Sequence, residues 1–329
     1  MSKPSIRFAT IGTNFVTTWL LDTAAQGSDL QYAATYSRSA ARAREFAAKY
    51  KVESIYTDLN ALACDPNIDA VYIASPNSLH FEQAALMLSH GKHVLCEKTI
   101  TVNRSELAEL LNIAASTQTV LLEAMRSSFD PGMQLIAQNL PKLGTIRRVS
   151  FQFCQYSSRY DKFKAGIVEN AFNPDFAGGA LMDLGVYCVH PMVQLFGKPD
   201  KIFADALFLK NRVDGAGTIL GSWQCGMQAE LLYSKITNSR VPSQIQGESG
   251  CMVIKEIANP YDVVIYYNDG RTESVVSRPY ESNNMIYEIR EWCRLIHEKA
   301  WDHPLNSRSL QALEIMDEAR KQLGISFGN

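Results

Sequence analysis

The chain has 329 residues, of which 46% are hydrophobic and 20% are charged, which is typical of a globular protein with two domains and a sizeable core. Its formal net charge of −2 gives no reason to expect nucleic acid or a membrane surface as a partner. No apolar run reaches the roughly 18 residues that a membrane span requires.

The N-terminal part of the chain alternates short apolar strands with helices. Strands are predicted at 6–11, 30–36, 55–56, 70–74, 94–96 and 119–122, and helices at 15–26, 39–50, 78–90 and 103–115. This alternation predicts a parallel, doubly wound sheet, and hence an α/β domain of the Rossmann type over residues 1–124.

Gly12 follows the first strand, where a dinucleotide fold has its phosphate-binding turn. Asn14 and Thr17 occupy the second and third glycine positions of the G-x-G-x-x-G pattern, and asparagine tolerates a positive φ. The start of the next helix offers N–H groups to a pyrophosphate. This motif alone favours a dinucleotide site and an unliganded turn equally. The candidate phosphate contacts are Gly12, Thr13, Asn14, Phe15 and Val16.

The second strand runs into Ser37, Arg38 and Ser39, with Arg42 one turn further on. An NAD-binding fold places an acid here to hold the ribose 2′-hydroxyl, and this segment has none. A guanidinium beside small hydroxyls suits a 2′-phosphate, so these four residues favour NADP, with NAD still possible. The alternative is that the two arginines only solvate the start of a helix.

The fourth strand ends in the turn Ser75, Pro76 and Asn77 at the carboxyl edge of the sheet. Ser75 can reach a ribose or a phosphate there. His80 is a candidate to line the cofactor, although a lone histidine in the first turn of a helix is more often a structural hydrogen-bonding residue.

Glu97 and Lys98 end the fifth strand, directly after the apolar run at 94–96. Ligands bind at this edge of open α/β sheets, and a lysine shielded there is placed for chemistry. The alternative is a solvated Glu-Lys pair in a loop. The position after the fifth strand favours cofactor contacts for both residues and a catalytic role for Lys98.

Residues 125–329 form the second predicted domain. A helix at 131–139 precedes a period-two strand from 145 and a polar loop at 157–173, and a helix spans 177–196. Strand-like runs then follow one another without helices, at 201–209, 217–224, 227–235, 242–247, 251–255 and 261–267. They predict an α+β domain with a large open antiparallel sheet, closed by helices near 282–299 and 307–323.

Asp183 and Tyr187 are four residues apart in the helix at 177–196 and therefore share a face. The alternative is a core tyrosine with a satisfied hydroxyl. An acid on the same face would be costly to bury without a purpose, which favours an active-site pair. Arg159 and Tyr160, in the polar loop, are candidates for substrate contact or for surface placement.

The seven cysteines are scattered and include no C-x-x-C pair. They predict reduced thiols in the cytoplasm, with neither a disulfide scaffold nor a metal site. The N-terminus leads straight into a strand, so no signal peptide is expected.

These segments together resemble the family of glucose–fructose oxidoreductase, inositol dehydrogenase and MocA, over nearly the whole chain. The similarity is carried by Gly12 and by the segments at 36–39, 74–80, 91–98 and 178–187. Tyr187 is most similar to the dihydrodiol and xylose dehydrogenase branch, because the inositol dehydrogenase branch has histidine there. Two residues depart from the family pattern, Thr99 in place of the proline of E-K-P and Asn14 in place of a glycine.

The resemblance implies an NAD(P)-dependent oxidoreductase that transfers a hydride between nicotinamide and a carbinol or carbonyl carbon. Tyr187 is then the acid/base, Lys98 favours its ionised form and binds the substrate oxygen, and Asp183 orients substrate hydroxyls. The many hydroxyl-binding groups point to a sugar, polyol or cyclic diol as the small-molecule substrate. The sheet would leave one face open, which predicts a homodimer or a higher homo-oligomer.

Two other functions remain open. The chain could be a catalytically inactive NADP-binding sensor or regulatory protein on the same fold, to which Asn14 and Thr99 lend weight, or a scaffold without nucleotide. Retention of both Lys98 and Tyr187 favours the enzyme.

The Lys98–Thr99 peptide bond is expected to be trans, with Lys98 still directed into the cleft. The family's Lys-Pro bond at this place is often cis, but a cis bond before a residue other than proline is very rare.

Overall fold

The structure is a computed structural model that describes residues 4–27, 29–278 and 283–327. The chain forms two compact units. The first comprises Met1–Met125 and Asn283–Ser307, and the second comprises Arg126–Ser282 and Arg308–Asn329. The sequence-based division into domains 1–124 and 125–329 stays a prediction.

The strands are β1 (Ile6–Ile11), β2 (Leu30–Tyr36), β3 (Ser54–Tyr56), β4 (Ala70–Ile73), β5 (His93–Glu97), β6 (Leu121–Ala124), β7 (Ile146–Cys154), β8 (Lys201–Phe208), β9 (Asp214–Ser222), β10 (Gln228–Ser234), β11 (Ser243–Gly247), β12 (Gly250–Ile254), β13 (Val263–Tyr267) and β14 (Thr272–Val276). The α-helices are α1 (Phe15–Ala24), α2 (Ala40–Lys49), α3 (Leu59–Cys64), α4 (His80–Ser89), α5 (Arg104–Thr117), α6 (Arg126–Phe129), α7 (Pro131–Asn139), α8 (Tyr160–Lys164), α9 (Val186–Phe196), α10 (Ile286–Glu298) and α11 (Pro304–Leu323).

Most of these elements follow the hydrophobic pattern of the sequence. The exceptions are β14, α3, α6 and α8, which were not predicted because segments of four to six residues show too little of a period. The predicted start of a helix near 282 lies outside the described residues, and α10 begins at Ile286.

The first unit contains a six-stranded parallel sheet in the order β3-β2-β1-β4-β5-β6, which confirms the predicted doubly wound α/β fold. Every residue of β4 is buried, as is the 94–96 run of β5. Such unbroken apolar strands are typical of a sheet covered on both faces. All six strands therefore end at one edge of the sheet, which carries the candidate residues of this unit.

The second unit contains an eight-stranded sheet in the order β14-β13-β12-β11-β7-β10-β9-β8. The predicted open antiparallel sheet is confirmed for all neighbours except β7 and β10, which are parallel. The pattern of β7 gave no sign of this, because inward and outward side chains alternate in the same way in a parallel and an antiparallel pair. β7 thus joins two antiparallel meanders, β8–β10 and β11–β14.

One face of this sheet is buried and the other is largely uncovered. Phe151, Leu231 and Ile245 are completely buried on the first face. On the second face, Phe203 of β8 lies opposite Leu220 of β9, and their exposed fractions are 63% and 45%. The second unit therefore presents an apolar patch on its open sheet face.

The predicted helix at 177–196 consists of a π-helical segment, Leu181–Gly185, that continues into α9. Among the described residues, the stretch Pro174–Phe196 is long and apolar enough to cross a membrane, but 89% of its most apolar 18-residue window is buried inside the protein. Burial of this kind is typical of the core helix of a globular domain.

Candidate active site

Gly12 follows β1 with a φ of +113°, and a Cβ at this position would lie 2.7 Å from the carbonyl oxygen of Ala74. A side chain would collide with the backbone just beyond β4, so the close approach of the two strand ends requires glycine. This turn lies at the carboxyl edge of the parallel sheet, where such folds bind ligands.

Asn14 has extended backbone angles, φ −90° and ψ −178°, so the tolerance of asparagine for a positive φ is not used at this position. Its side chain instead caps α1. The Oδ1 atom accepts hydrogen bonds from the N–H groups of Val16 (3.0 Å) and Thr17 (3.1 Å), and the Nδ2 atom donates to the carbonyl oxygen of Ala74 (2.7 Å). Asparagine therefore suits this position because one amide ties the start of α1 to the end of β4.

Beside this cap, Thr13 is half-buried and Phe15 is 51% exposed. The ring of Phe15 stands edge-on to Trp19, with 5.3 Å between the centroids. The turn thus has open surface in front of a helix N-terminus, an arrangement that fits a pyrophosphate.

Arg38 and Arg42 are exposed at the start of α2, and neither guanidinium forms an ion pair with any residue in 4–27, 29–278 or 283–327. Two serines hold the backbone between them. The Oγ atom of Ser37 accepts from the N–H of Ser39, and the Oγ atom of Ser39 caps α2 by accepting from the N–H of Arg42. The two guanidinium groups in this segment are cations that could pair with the 2′-phosphate of NADP.

His80 contacts the turn after β4 from the interior of the protein. Ser75, Pro76 and Asn77 are half-buried, and the Oγ atom of Ser75 donates to Gln83. His80 is completely buried, and its two ring nitrogens lie 2.9 Å from the carbonyl oxygens of Ser75 and Thr99. Burial lowers the pKa of His80. His80 therefore links two turns of the sheet edge, as in the structural alternative, and presents no accessible surface of its own to a ligand.

Glu97 ends β5 and accepts a hydrogen bond of 2.5 Å from the hydroxyl of Tyr72, a completely buried residue of β4. Burial, followed by the charge of Glu97, raises the pKa of Tyr72, which keeps the phenol protonated as the donor. The next residue, Lys98, is half-buried. Both members of the Glu-Lys pair thus lie at the sheet edge, and Glu97 is fixed by a side chain of the neighbouring strand.

The Lys98–Thr99 peptide bond is cis, so the expectation of a trans bond is wrong. That expectation used only the rarity of such bonds and not the tertiary contacts on the C-terminal side. Thr99 is buried with its carbonyl oxygen against His80, and the N–H of Ile100 donates to the buried carboxylate of Glu123 at 3.1 Å.

In the second unit, Tyr187 lies in the first turn of α9 and is 92% buried, since 8% of its surface is exposed. Its ring meets Phe153 edge-on at 5.3 Å, and the guanidinium of Arg126 lies 5.7 Å from its centroid. Arg126 was not among the predicted site residues, although it lies two residues after the end of the N-terminal domain predicted from the sequence. The two contacts hold the ring in a defined orientation.

Asp183 lies in the π-helical segment, four residues before Tyr187, and 36% of its side chain is exposed. Its Oδ2 atom pairs with the ammonium of Lys235 at 2.9 Å. Lys235 was also missed. It directly follows a strand, as Lys98 does, but the local sequence gives no sign that an acid lies against it.

The two loop candidates differ in environment. Arg159 is half-exposed and pairs with Glu169 at 3.1 Å. Tyr160 begins α8 and stacks on Phe163 and Phe172, with centroids 6.2 and 5.8 Å away. Arg159 thus has a surface ion pair, and Tyr160 covers an aromatic cluster.

Comparison with known proteins places both halves of the chain in one family. The model described as "Oxidoreductase family, NAD-binding Rossmann fold" matches residues 6–125, and that described as "GFO/IDH/MocA C-terminal domain" matches residues 134–253. The chain is similar to scyllo-inositol 2-dehydrogenase (NADP(+)) IolU of Bacillus subtilis (strain 168), with 47% identity over 324 residues, 98% of each chain. It is 32% identical to trans-1,2-dihydrobenzene-1,2-diol dehydrogenase of Mus musculus over 311 residues, 91% of each chain.

Among solved structures, the chain is similar to KijD10, a 3-ketoreductase from Actinomadura kijaniata in complex with NADP and TDP-benzene. The TM-score is 0.87 at 23% sequence identity, covering 97% of this chain and 98% of that one. This likeness shows that the two proteins share a fold.

Proposed function

The chain belongs to the Gfo/Idh/MocA family of oxidoreductases, and on that premise we propose that it interconverts a ring hydroxyl of a cyclic polyol and the corresponding ketone. It is an NAD(P)-dependent oxidoreductase acting on the CH–OH group of a sugar, polyol or diol, with NADP as its cofactor. The inactive sensor finds no support among these relatives.

The observation that carries the choice of a cyclic polyol is the 47% identity to scyllo-inositol 2-dehydrogenase over 98% of both chains. A half-exposed carboxylate at Asp183 suits such a substrate, since a carboxylate accepts hydrogen bonds from neighbouring hydroxyls. A trans-dihydrodiol is the second candidate, favoured by the 32% identity to the mouse dihydrodiol dehydrogenase and by Tyr187.

The residues assigned to NADP lie at the end of β5, in the turns after β1, β2, β4 and β5, and in the first turns of α1 and α2. Gly12, Thr13, Asn14, Phe15 and Val16 would accommodate the pyrophosphate, and Ser37, Arg38, Ser39 and Arg42 the 2′-phosphate. Ser75, Pro76, Asn77, Glu97 and Lys98 complete the site, with His80 holding two of its turns. When bound, NADP supplies or accepts the hydride.

Three side chains carry the proposed chemistry. Tyr187 takes the proton of the carbinol hydroxyl in oxidation and returns it in reduction, with its ring oriented by Phe153 and Arg126. Lys98 binds the substrate oxygen, and Asp183 orients the neighbouring hydroxyls.

The cell compartment and the oligomeric state belong to the same proposal. We place the protein in the cytoplasm, because its cysteines are free in the structure and a reducing compartment keeps them so. The exposed apolar face of the second sheet supports a homodimer.

The test is a substrate panel with the purified protein and each nicotinamide cofactor. We expect scyllo-inositol with NADP to give the highest kcat/KM, ahead of a trans-cyclohexanediol and of open-chain polyols. Turnover confined to open-chain polyols would overturn the cyclic substrate. NADP binding without turnover of any alcohol or ketone would instead favour the alternative function, a catalytically inactive NADP-binding sensor.

A further inference from the structure

Lys235 is a buried cation that follows β10, and 2% of its side chain is exposed. Its backbone N–H donates to the carbonyl oxygen of Gly215. Its ammonium donates to the carbonyl oxygens of Ala171 (2.6 Å) and Gly179 (3.5 Å) and lies 4.8 Å from the ring centroid of Phe172. Four contacts, counting the backbone one, thus fix this lysine and leave it no surface with which to touch a substrate.

The fixed ammonium faces Asp183, whose Oδ2 atom lies 2.9 Å away. The pair is asymmetric, because the lysine is buried whereas 36% of the aspartate side chain is exposed. Burying a cation is costly unless it is paired and hydrogen-bonded, and here the paired group is the carboxylate that reaches the surface. The buried Lys235 therefore fixes the position of the Asp183 carboxylate, which remains accessible to a ligand.

Asp214 holds the backbone of the same segment. It is 2% exposed, and its Oδ2 atom accepts the N–H of Leu181 at 2.6 Å, at the start of the π-helical segment that carries Asp183. Gly179 completes this arrangement, since a Cβ there would lie 2.0 Å from Oδ1 of Asp214. The backbone and the side chain of the Asp183 segment are thus held by two buried residues, Asp214 and Lys235.

We infer that Lys235 is a positioning residue of the active site, which holds the Asp183 carboxylate in the place where it binds the substrate's hydroxyls. The inference rests on the proposed function, because it takes Asp183 as the group that contacts the substrate. Lys235 acts only through Asp183, and removing it displaces that acceptor.

The first test uses Lys235→Met, which keeps an unbranched side chain and removes the charge. Misplacing a substrate-orienting group by about 1 Å can cost about 100-fold, so we expect kcat/KM for scyllo-inositol to fall by about that factor. NADP affinity should stay within about twofold, because the residues assigned to NADP lie in the other unit. Combining Lys235→Met with Asp183→Asn should add no loss beyond that of Asp183→Asn alone, since both changes remove the same contact.

The matched control is Lys92→Met. Lys92 is also buried, 8% exposed, and its ammonium donates to the carbonyl oxygens of Asp65 and Ile68. It should leave kcat/KM unchanged apart from any loss of folded protein. If Lys235→Met does not fold, Lys235→Gln retains a donor for Ala171 without the charge, and failure of both to fold would make Lys235 a stability residue and overturn the inference.

A crystal structure of Lys235→Met separates this inference from the proposed function. We expect the Asp183 carboxylate to leave its wild-type position, whether or not the wild type turns over polyols. An unmoved carboxylate, or losses that multiply in the double variant, would overturn the inference. A wild type inactive on every polyol, with a displaced carboxylate in the variant, would refute only the substrate class.

Discussion

Gly12 and Ala74 approach so closely that a Cβ on the glycine would lie 2.7 Å from the alanine carbonyl oxygen. Gly12→Ala should therefore lower the free energy of unfolding by about 2–5 kcal/mol. Placing alanine at a positive φ costs about 1–2 kcal/mol, and moving the backbone away from the new Cβ costs about 1–3 kcal/mol. Gly91→Ala is the control, because Gly91 has a φ of +74° and open space around it. It should show only the backbone cost in denaturant unfolding, and equal losses for the two variants would contradict the packing argument.

Arg38→Ala should weaken NADP binding by roughly 1.5–3 kcal/mol, the scale of a hydrogen bond to a charged group, and leave NAD binding nearly unchanged. Arg44→Ala serves as the control, because Arg44 lies in α2, shortly after Arg38, and is also exposed. Calorimetric titration of each variant with both cofactors measures the difference. Equal affinities of the wild type for NADP and NAD would contradict the assignment of Arg38.

Tyr187→Phe should lower kcat by about 100- to 10,000-fold, the usual worth of general acid–base catalysis, without changing the affinity for NADP. Tyr233→Phe is the matched control in the same unit. Tyr233 is buried, and its hydroxyl has no hydrogen-bond partner among the described residues. The measurement is the steady-state rate of each variant on a substrate that the wild type turns over. Turnover by Tyr187→Phe near the wild-type rate would show that Tyr187 is a core residue and not the acid/base.

The protein should be a dimer at micromolar concentration, and Phe203→Asp combined with Leu220→Asp should make it monomeric. The two side chains face each other on the open side of the sheet, so two charges there would oppose an apolar contact. Ile167→Asp, at a position that is 58% exposed, should leave the mass unchanged. Light scattering gives the result, and a monomeric wild type would refute the dimer.

Stability should fall as the pH drops below about 6.5, partly because of His93. Burial lowers the pKa of His93 from 6.5 to about 4, and its Nδ1 atom accepts the N–H of Val120 at 3.0 Å. Because the pKa of His93 is lower in the folded than in the unfolded state, its contribution to the free energy of unfolding is complete above the unfolded pKa. This contribution, roughly 3 kcal/mol in total, is lost as the pH falls toward 4. His93→Asn retains an acceptor without the titration. Its Tm should therefore fall less between pH 7 and pH 4.5 than that of the wild type, and parallel curves would contradict this assignment.

The sequence predicted where the strands end, and hence which candidate residues lie at the sheet edge. Arg38 and Lys98 were placed correctly at the sheet edge, because an apolar run followed by polar residues marks where a buried strand stops. The role of Asn14 was not predictable in this way. Its conformation follows from a hydrogen bond to Ala74, sixty residues away, and local propensity contains no information about such a partner.

The same limit applied to Lys235 and to the peptide bond before Thr99. A lysine at a strand end is ordinary until Asp183 is known to face it across the fold. The contacts of Thr99 and Ile100 come from α4 and β6, which the local sequence does not contain. Elements with a full period are thus readable from the chain, whereas side-chain networks between elements require the structure.

The position of β7 between β10 and β11 has a consequence for synthesis on the ribosome. Both of its neighbours follow far behind it in the chain, so β7 leaves the exit tunnel with two unsatisfied edges and waits for its partners. Arg147 and Arg148 lie in this strand and later pair with Glu248 and Glu230. Before those acids are made, two adjacent positive charges oppose pairing of the nascent strand with other chains.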